Sequence, residues 1–168
     1  DEVSMFYDGK NTDKMHRHNF VSEDILKWFY SAFNYYLECN KIQEYYMNIN
    51  SIWVNEMKAG DYNPVHIHQG KLYTGLSSVM ILKLPKDYGP ERTHPEQPMN
   101  GQLQILGNVA GQFATTDYSP EVKIGDFFIF PYDIRHVVYP FSNKKARRRT
   151  LVCNCDVSYN PVKSRTAN

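Results

Sequence analysis

Residues 60–68 read Gly60-Asp61-Tyr62-Asn63-Pro64-Val65-His66-Ile67-His68, and they indicate how the rest of the chain is arranged. Asn63-Pro64 favours a turn followed by extended backbone, so a short strand is expected to begin near Val65. Side chains two residues apart on a strand point to the same face, so His66 and His68 can converge on one point. This is the spacing of a pair of metal ligands.

A third imidazole is available from a later part of the chain. His136 follows the apolar segment Phe127–Pro131 and a second tight turn. Together with His66 and His68 it would supply three ligands on one face of a metal and leave positions open for water, dioxygen or a chelating substrate. Open positions are typical of catalytic sites. The alternative is that these histidines are ordinary core or surface residues.

Length and charge restrict the remaining possibilities. The 168 residues are enough for one domain with its own core, and the net charge of +1 creates no field that favours nucleic acid or an anionic membrane. No apolar run reaches the length of a membrane span, and the first twenty residues do not resemble a signal peptide. We therefore expect a soluble, cytoplasmic protein.

Other potential metal ligands have simpler interpretations. Cys153 and Cys155 would lie about 6.5–7 Å apart along a strand, at or beyond disulfide reach, and are expected to be reduced thiols in the core. His16 and His18 repeat the spacing of the main pair, but they stand among cations and polar residues, which favours a solvated segment. His94 lies in a Pro- and Gly-rich stretch typical of a surface loop.

The chain is expected to form a single domain, 1–168, with one main helix. Ser22 is suited to cap a helix N-terminus, and apolar residues then recur from Ile25 to Leu37 with a period of about 3.6. This face should pack on a sheet, and residues 41–48 are expected to add another helical turn. The predicted parts are a lead-in arm at 1–21, helical support at 22–48, a barrel at 49–157 and a tail at 158–168.

Short extended segments dominate the rest of the sequence. They are joined by Gly- and Pro-containing turns, and about eight can be counted. One helix followed by many short strands predicts a mainly β fold, a double-stranded β-helix or jelly-roll barrel of the cupin-like kind. The strands are expected at 50–57, 65–68, 76–84, 102–106, 112–115, 127–131, 136–140 and 148–157.

The last predicted strand carries a possible anion site. Arg148, Thr150 and Val152 share one face, so a guanidinium and a hydroxyl can point into a barrel and bind a carboxylate. Arg147 and Arg149 would point elsewhere. The basic run around them is too short, in a nearly neutral chain, to indicate nucleic-acid binding.

The order of these motifs resembles the iron(II)- and 2-oxoglutarate-dependent oxygenases, particularly the small oxygenases of marine bacteria and phages. The resemblance covers roughly residues 50–157. It rests on Trp53-Val54-Asn55, the stretch 60–68, Leu76-Ser77-Ser78-Val79 through Pro85, Gly125-Asp126 through Phe130-Pro131, His136 and the strand that begins at Arg148.

The resemblance implies a fold, a chemistry and a site. Fe(II) would be bound by His66 and His136, while 2-oxoglutarate would chelate the metal and extend its distal carboxylate to Arg148. Thr150 looks like the hydroxyl of the family's Arg-x-Ser pair, and Tyr62 is assigned to the same co-substrate site. The implied reaction uses dioxygen to hydroxylate a small-molecule or peptidyl substrate, in the host cytoplasm if the protein is phage-encoded. Homo-oligomerisation is left open.

One position departs from the family pattern. Most members carry His-x-Asp or His-x-Glu, whereas this chain has His68 where the acid is expected. Either His68 is a ligand in a three-histidine site, or water occupies the position, or His68 is the first ligand and Gly70 stands in the place of the acid. We rank the alternatives in that order.

Two other classes compete with the oxygenase. A cupin shares the barrel and much of the motif spacing, but no glutamate follows the histidine pair within residues 69–75, Asp133 stands where glycine is expected, and Arg148 has no required role. A non-catalytic barrel would tolerate the loss of the acid and predicts no bound metal.

Overall fold

The computed structural model describes residues 21–91, 98–107, 110–111 and 114–160. Most of the lead-in arm, the tail from residue 161, His16, His18 and His94 lie outside these residues, so the predictions made for them stay predictions. Within the described ranges, no helix has both the length and the apolar character that crossing a membrane requires.

The single helix of the described part, α1, spans Glu23–Cys39 and begins as the sequence predicts. The hydroxyl of Ser22 accepts a hydrogen bond from the N–H of Ile25, at 3.4 Å, and Glu23 and Asp24 stand in the first turn, where the helix dipole favours acids. The sequence signal for the start of this helix is therefore confirmed.

One face of α1 packs on the main sheet. Phe29, Phe33 and Leu37 are buried in a cluster that also contains the fully buried Cys153 and Cys155. Both cysteines are free thiols, so the prediction of reduced core cysteines is confirmed. The helix thus covers one side of the sheet and leaves the other side to line a cavity.

Nine strands make up the rest of the described fold. Their bounds are β1 Tyr45–Met57, β2 Asn63–His66, β3 Gly75–Lys83, β4 Leu103–Leu106, β5 Ala110–Gly111, β6 Ala114–Thr115, β7 Phe127–Pro131, β8 Arg135–Val138 and β9 Arg148–Tyr159. A four-stranded sheet has the order β1-β9-β3-β7, a three-stranded sheet has the order β2-β8-β4, and β5 pairs with β6; every pairing is antiparallel. The predicted mainly β barrel with an N-terminal helix on its sheet is confirmed.

The prediction of another helical turn at 41–48 is wrong. The helix ends at Cys39, and Tyr45 already belongs to β1, where it pairs with Tyr159 near the end of β9. Tyr45, Tyr46 and Met47 suit a pleated surface, and the long partner strand supplies the ladder that decides their conformation. The same pairing with β1 extends β9 to Tyr159, two residues past the predicted barrel boundary at Val157.

The short strand predicted at 65–68 also differs from its prediction. It begins at Asn63 and ends at His66, so it carries only one of the two histidines. Its pairing with β8 is irregular between Asn63 and His66, as expected where Pro64 supplies no N–H to the ladder. His68 therefore lies in the loop that follows β2.

Alternation along β9 separates the core from the cavity. Cys153 and Cys155 face the helix, whereas Arg148, Thr150, Val152 and Asn154 line the cavity between the two sheets. The two sheets therefore bring side chains from distant parts of the sequence together around one cavity.

Candidate metal centre

Three imidazoles converge in this cavity. His66 on β2 and His136 on β8 are direct cross-strand partners, and their ring centroids are 4.2 Å apart. His68 reaches the same point from the loop, with its Nε2 3.1 Å from Nε2 of His136. One potential ligand nitrogen from each residue lies within 4.8 Å of the others, and this is the only such cluster of potential ligands among the described residues.

Two of the rings are oriented by backbone carbonyls. Nδ1 of His66 is 2.6 Å from the carbonyl oxygen of Pro64, and Nδ1 of His136 is 3.1 Å from that of Ile134. A carbonyl can only accept, so Nδ1 carries a hydrogen in both rings, and in the neutral imidazole Nε2 then keeps its lone pair. This second hydrogen bond is the arrangement that usually orients a metal-binding histidine.

His68 is held by the loop. Its backbone N–H donates to the carbonyl oxygen of Tyr132 at 2.9 Å. Its ring lies 6.2 Å from the rings of Trp53 and Phe130, centroid to centroid, so aromatic side chains surround it. The ring is therefore placed without a strand ladder to fix its backbone.

The environment keeps two imidazoles neutral. Burial, together with the neighbouring His136 and His66, lowers the pKa of His68 to about 3. Burial and His66 lower the pKa of His136 to about 4, against the opposing hydrogen bond to Ile134. Neutral imidazole is the form that binds a metal, so both groups are ready to act as ligands at neutral pH.

The spacing fits a transition metal. Metal–nitrogen bonds of about 2.1 Å at right angles would place two ligand nitrogens about 3.0 Å apart. The 3.1 Å between Nε2 of His68 and Nε2 of His136 agrees with this geometry. Three imidazole nitrogen donors on one side of an open cavity suit divalent iron or a similar ion, with positions left for other ligands.

A buried guanidinium shares the cavity with the imidazoles. The cavity has a volume of about 300 Å³, and its lining includes all three histidines, Arg148 and Thr150. Arg148 is only 2% exposed, and its Nε and Nη2 have no hydrogen-bond partner among the described residues. Burial lowers the pKa of Arg148, a shift that the neighbouring Tyr88 opposes. An orphaned, buried guanidinium beside a metal site is suited to bind an anion that the metal also holds.

The neighbouring arginines are used elsewhere. Nε of Arg149 donates to Glu56 at 3.0 Å, and Nε of Arg147 lies 4.0 Å from the same carboxylate. Arg148 is thus the member of the run that reaches the cavity. Strand alternation predicts this placement, because the two flanking residues must point away.

The remaining predicted site residues do not all line the cavity. Thr150 is buried and lines the cavity. Tyr62 is 61% exposed and is not among the lining residues. Gly70 lies against a different group: a Cβ there would stand 1.9 Å from Oδ1 of Asp156, so an acid at this position would not fit. This leaves His68, rather than position 70, beside the other two imidazoles.

Sequence reasoning missed three polar residues of the site. Asn154 and Asn55 line the cavity, and Tyr88 is an electrostatic neighbour of Arg148. Asn154 could have been found by continuing the alternation of β9 by two residues. Tyr88 stands in an irregular loop, where no periodicity indicates the direction of a side chain.

A family model described as "Putative 2OG-Fe(II) oxygenase" matches residues 51–154. Those residues include β2, β3, β7 and β8, all three histidines and Arg148. Among curated proteins, none matches the chain in sequence.

Two solved structures share the fold. The crystal structure of an oxidoreductase of the 2OG-Fe(II) oxygenase family from Burkholderia pseudomallei is 17% identical, and the match covers 80% of this chain and 57% of that one with a TM-score of 0.55. A prolyl-4-hydroxylase from Pseudomonas putida is 16% identical, with coverages of 80% and 64% and a TM-score of 0.50. The chain spans less than two thirds of the length of both proteins.

Proposed function

Because the chain belongs to the 2OG-Fe(II) oxygenase family, we propose that it is an Fe(II)- and 2-oxoglutarate-dependent dioxygenase that hydroxylates its substrate. In this role His66, His68 and His136 hold the iron. The bound iron would supply the dioxygen chemistry, in which 2-oxoglutarate becomes succinate and carbon dioxide while one oxygen atom enters the substrate. The substrate would be a small molecule or a peptidyl residue.

The observation that carries the proposal is the orphaned guanidinium of Arg148. It is 2% exposed and has two nitrogens without a partner among the described residues, yet it lines the same cavity as the three imidazoles. A buried cation without a counter-ion is costly, whereas a carboxylate on a metal-bound co-substrate would satisfy it. A cupin that does not use a dicarboxylate would gain nothing from this residue.

The chain's own groups bind and orient the co-substrate. Arg148 would receive the distal carboxylate of 2-oxoglutarate, with Tyr88 beside the guanidinium and Thr150 on the same strand face. The apolar lining residues Trp53 and Val79 reduce the polarity of the cavity wall, which strengthens an ion pair formed there. The geometry thus supports one bound orientation, with one end of the co-substrate at the imidazoles and the other at Arg148.

The third imidazole changes the charge of the centre. A carboxylate ligand would reduce the charge of the bound Fe(II), but His68 is neutral when it acts as a ligand. The three-histidine site would therefore retain the full charge of the ion and attract an anionic chelator more strongly. We propose that 2-oxoglutarate supplies the negative charge that the protein ligands do not.

The test is an anaerobic titration of the Fe(II)-loaded protein with 2-oxoglutarate. Bidentate chelation gives a visible metal-to-ligand charge-transfer band, which we expect in the native protein and not in His136→Ala. Iron binding without the band would favour a cupin that does not use 2-oxoglutarate. Failure to bind iron at all would favour the non-catalytic barrel.

A further inference from the structure

Asp156 is the only buried carboxylate among the described residues. It is 4% exposed, stands on β9 and is not among the residues that line the cavity. Its Oδ1 accepts hydrogen bonds from Nδ2 of Asn50 at 2.8 Å and from the hydroxyl of Tyr132 at 3.2 Å. Its Oδ2 accepts from the backbone N–H groups of Lys71 at 3.0 Å and Leu72 at 3.3 Å. The carboxylate is thus saturated by donors from three separate segments.

One of these segments is the loop that carries His68. The loop runs from the end of β2 to the start of β3, and its residues 71 and 72 donate directly to the carboxylate. Gly70 packs so closely that a Cβ would meet Oδ1 of Asp156 at 1.9 Å and Nδ2 of Asn50 at 2.1 Å. The loop backbone therefore rests on the carboxylate without a side chain between them.

Tyr132 provides a second connection to the same loop. Its hydroxyl donates to Asp156, and its backbone carbonyl accepts the N–H of His68 at 2.9 Å. Its own N–H donates to the carbonyl of Gly75 at the start of β3, at 3.0 Å. Tyr132 also stands between β7 and β8, in the turn that leads to His136. Two hydrogen bonds therefore separate Asp156 from the backbone of His68.

We propose that Asp156 is a positioning residue for the metal centre, whose carboxylate holds the β2–β3 loop and Tyr132 so that His68 is presented as the third ligand. The inference rests on the proposed function, since it requires His68 to bind the metal. It explains how a ligand beyond the end of a strand keeps its place. His66 and His136 are fixed by their ladder, whereas His68 is fixed by this anchor.

The chemistry of the carboxylate suits this role. A carboxylate only accepts hydrogen bonds, and all four groups around Asp156 donate to it. A carboxamide at this position would direct its NH₂ group at donors on one side or the other and leave buried groups unsatisfied. Asp156→Asn is therefore a small change in volume that should release the loop.

The test is a double-mutant cycle on metal affinity. Co(II) is titrated into the native protein, Asp156→Asn, His68→Ala and the double variant, and the unfolding of each metal-free variant is measured with denaturant. We expect Asp156→Asn to weaken Co(II) binding about 10–100-fold, as usually happens when a group that holds a metal ligand in place is removed. In the His68→Ala background the same change should have no further effect, because the ligand that it positions is gone.

A matched variant separates positioning from general stability. The hydroxyl of Thr74 donates to the carbonyl of Val157 at 2.7 Å, in the same loop but next to β3. Thr74→Val should lower the denaturant midpoint and leave Co(II) affinity unchanged.

Tyr132→Phe removes only the hydroxyl link, and it replaces Asp156→Asn in the cycle if that variant does not fold. The visible Co(II) bands of Asp156→Asn should resemble those of His68→Ala.

Two results would overturn the inference. If the positioning variant weakens Co(II) binding equally with and without His68, its effect is a general loss of structure. If His68→Ala binds Co(II) as tightly as the native protein, there is no third ligand to position. The first result leaves the proposed oxygenase centre intact, whereas the second would reduce its protein ligands to His66 and His136. The oxygenase centre itself fails only if His136→Ala retains the metal or no 2-oxoglutarate complex forms.

Discussion

His66 and His136 face each other as direct partners across β2 and β8, with ring centroids 4.2 Å apart. Each ring directs Nδ1 to the carbonyl of the residue two positions earlier, so each offers Nε2 to the same point. His68 joins them from a loop whose anchors are Tyr132 and Asp156. Substitutions at the strand pair and at the loop ligand should therefore have different consequences.

We predict that His136→Ala abolishes stable iron binding. The residue is buried and belongs to the ladder that sets the site, so its loss should cost more than the 10–100-fold typical of an outer-shell partner. Equilibrium dialysis against Fe(II) under anaerobic conditions measures the effect. Arg135→Ala, an exposed neighbour on β8, is the control and should bind iron normally. Native iron affinity in His136→Ala would contradict the site.

We predict that His68→Asp keeps the iron but weakens 2-oxoglutarate binding. An aspartate restores an acidic ligand, and its negative charge reduces the attraction of the metal for an anionic chelator. The charge-transfer titration gives the 2-oxoglutarate affinity, and His68→Ala serves as the comparison without a ligand. Loss of iron from His68→Asp, with iron retained by His68→Ala, would show that position 68 is not a ligand position.

We predict that Arg148→Met stabilises the metal-free protein while it weakens 2-oxoglutarate binding. An unpaired buried charge carries a desolvation penalty of roughly several kcal/mol that an apolar side chain of similar volume does not, and the carboxylate of the co-substrate loses its partner in this variant. Denaturant unfolding and the charge-transfer titration report the two effects. Arg149→Met, which breaks only the half-exposed pair with Glu56, should change stability by about 1 kcal/mol or less and leave co-substrate affinity unchanged. Native co-substrate affinity in Arg148→Met would contradict the assignment.

We predict that the metal-free protein loses stability as the pH falls from about 6.5, the usual pKa of an unfolded-state histidine, towards 4. The folded state lowers the pKa of His68 to about 3 and that of His136 to about 4. Between these values the unfolded chain takes up protons that the folded site does not, so acid favours unfolding. Thermal unfolding in chelator across this range measures the slope. His68→Gln should flatten it, and an unchanged slope would contradict the burial of this ring.

We predict that one of the three cysteines reacts in the native protein. Cys39 is exposed, whereas burial raises the pKa of Cys155 to about 12 and also raises that of Cys153. A thiol reagent at mildly alkaline pH should therefore modify one group in the folded state and three in denaturant. Cys39→Ser should remove the native reaction. Rapid reaction of further thiols in the folded protein would show that α1 does not cover β9 as described.

Patterns among residues close together in sequence were sufficient to predict where α1 begins and which side chains of β9 share a face. Ser22 and the acids after it specify where α1 begins, because capping depends on neighbours in sequence. Period-two alternation places Arg148 and Thr150 on the cavity face and Cys153 and Cys155 on the helix face, because no strand can present adjacent residues to one side. Alternation thus separates Arg148 from the two flanking arginines, and the tertiary structure shows that Arg148 lies on the cavity side.

Contacts between distant segments decided the rest. Tyr45 belongs to β1 because it pairs with Tyr159 on the distant strand β9. His68 lies in a loop and not in the expected strand, because β2 ends at His66. The proximity of Tyr88 to Arg148 and the hydrogen bonds of Asp156 to the β2–β3 loop join residues far apart in the chain. Periodicity indicates which face a side chain takes, but it contains no information on which distant partner meets that face. Only the packing of the two sheets supplies those partners.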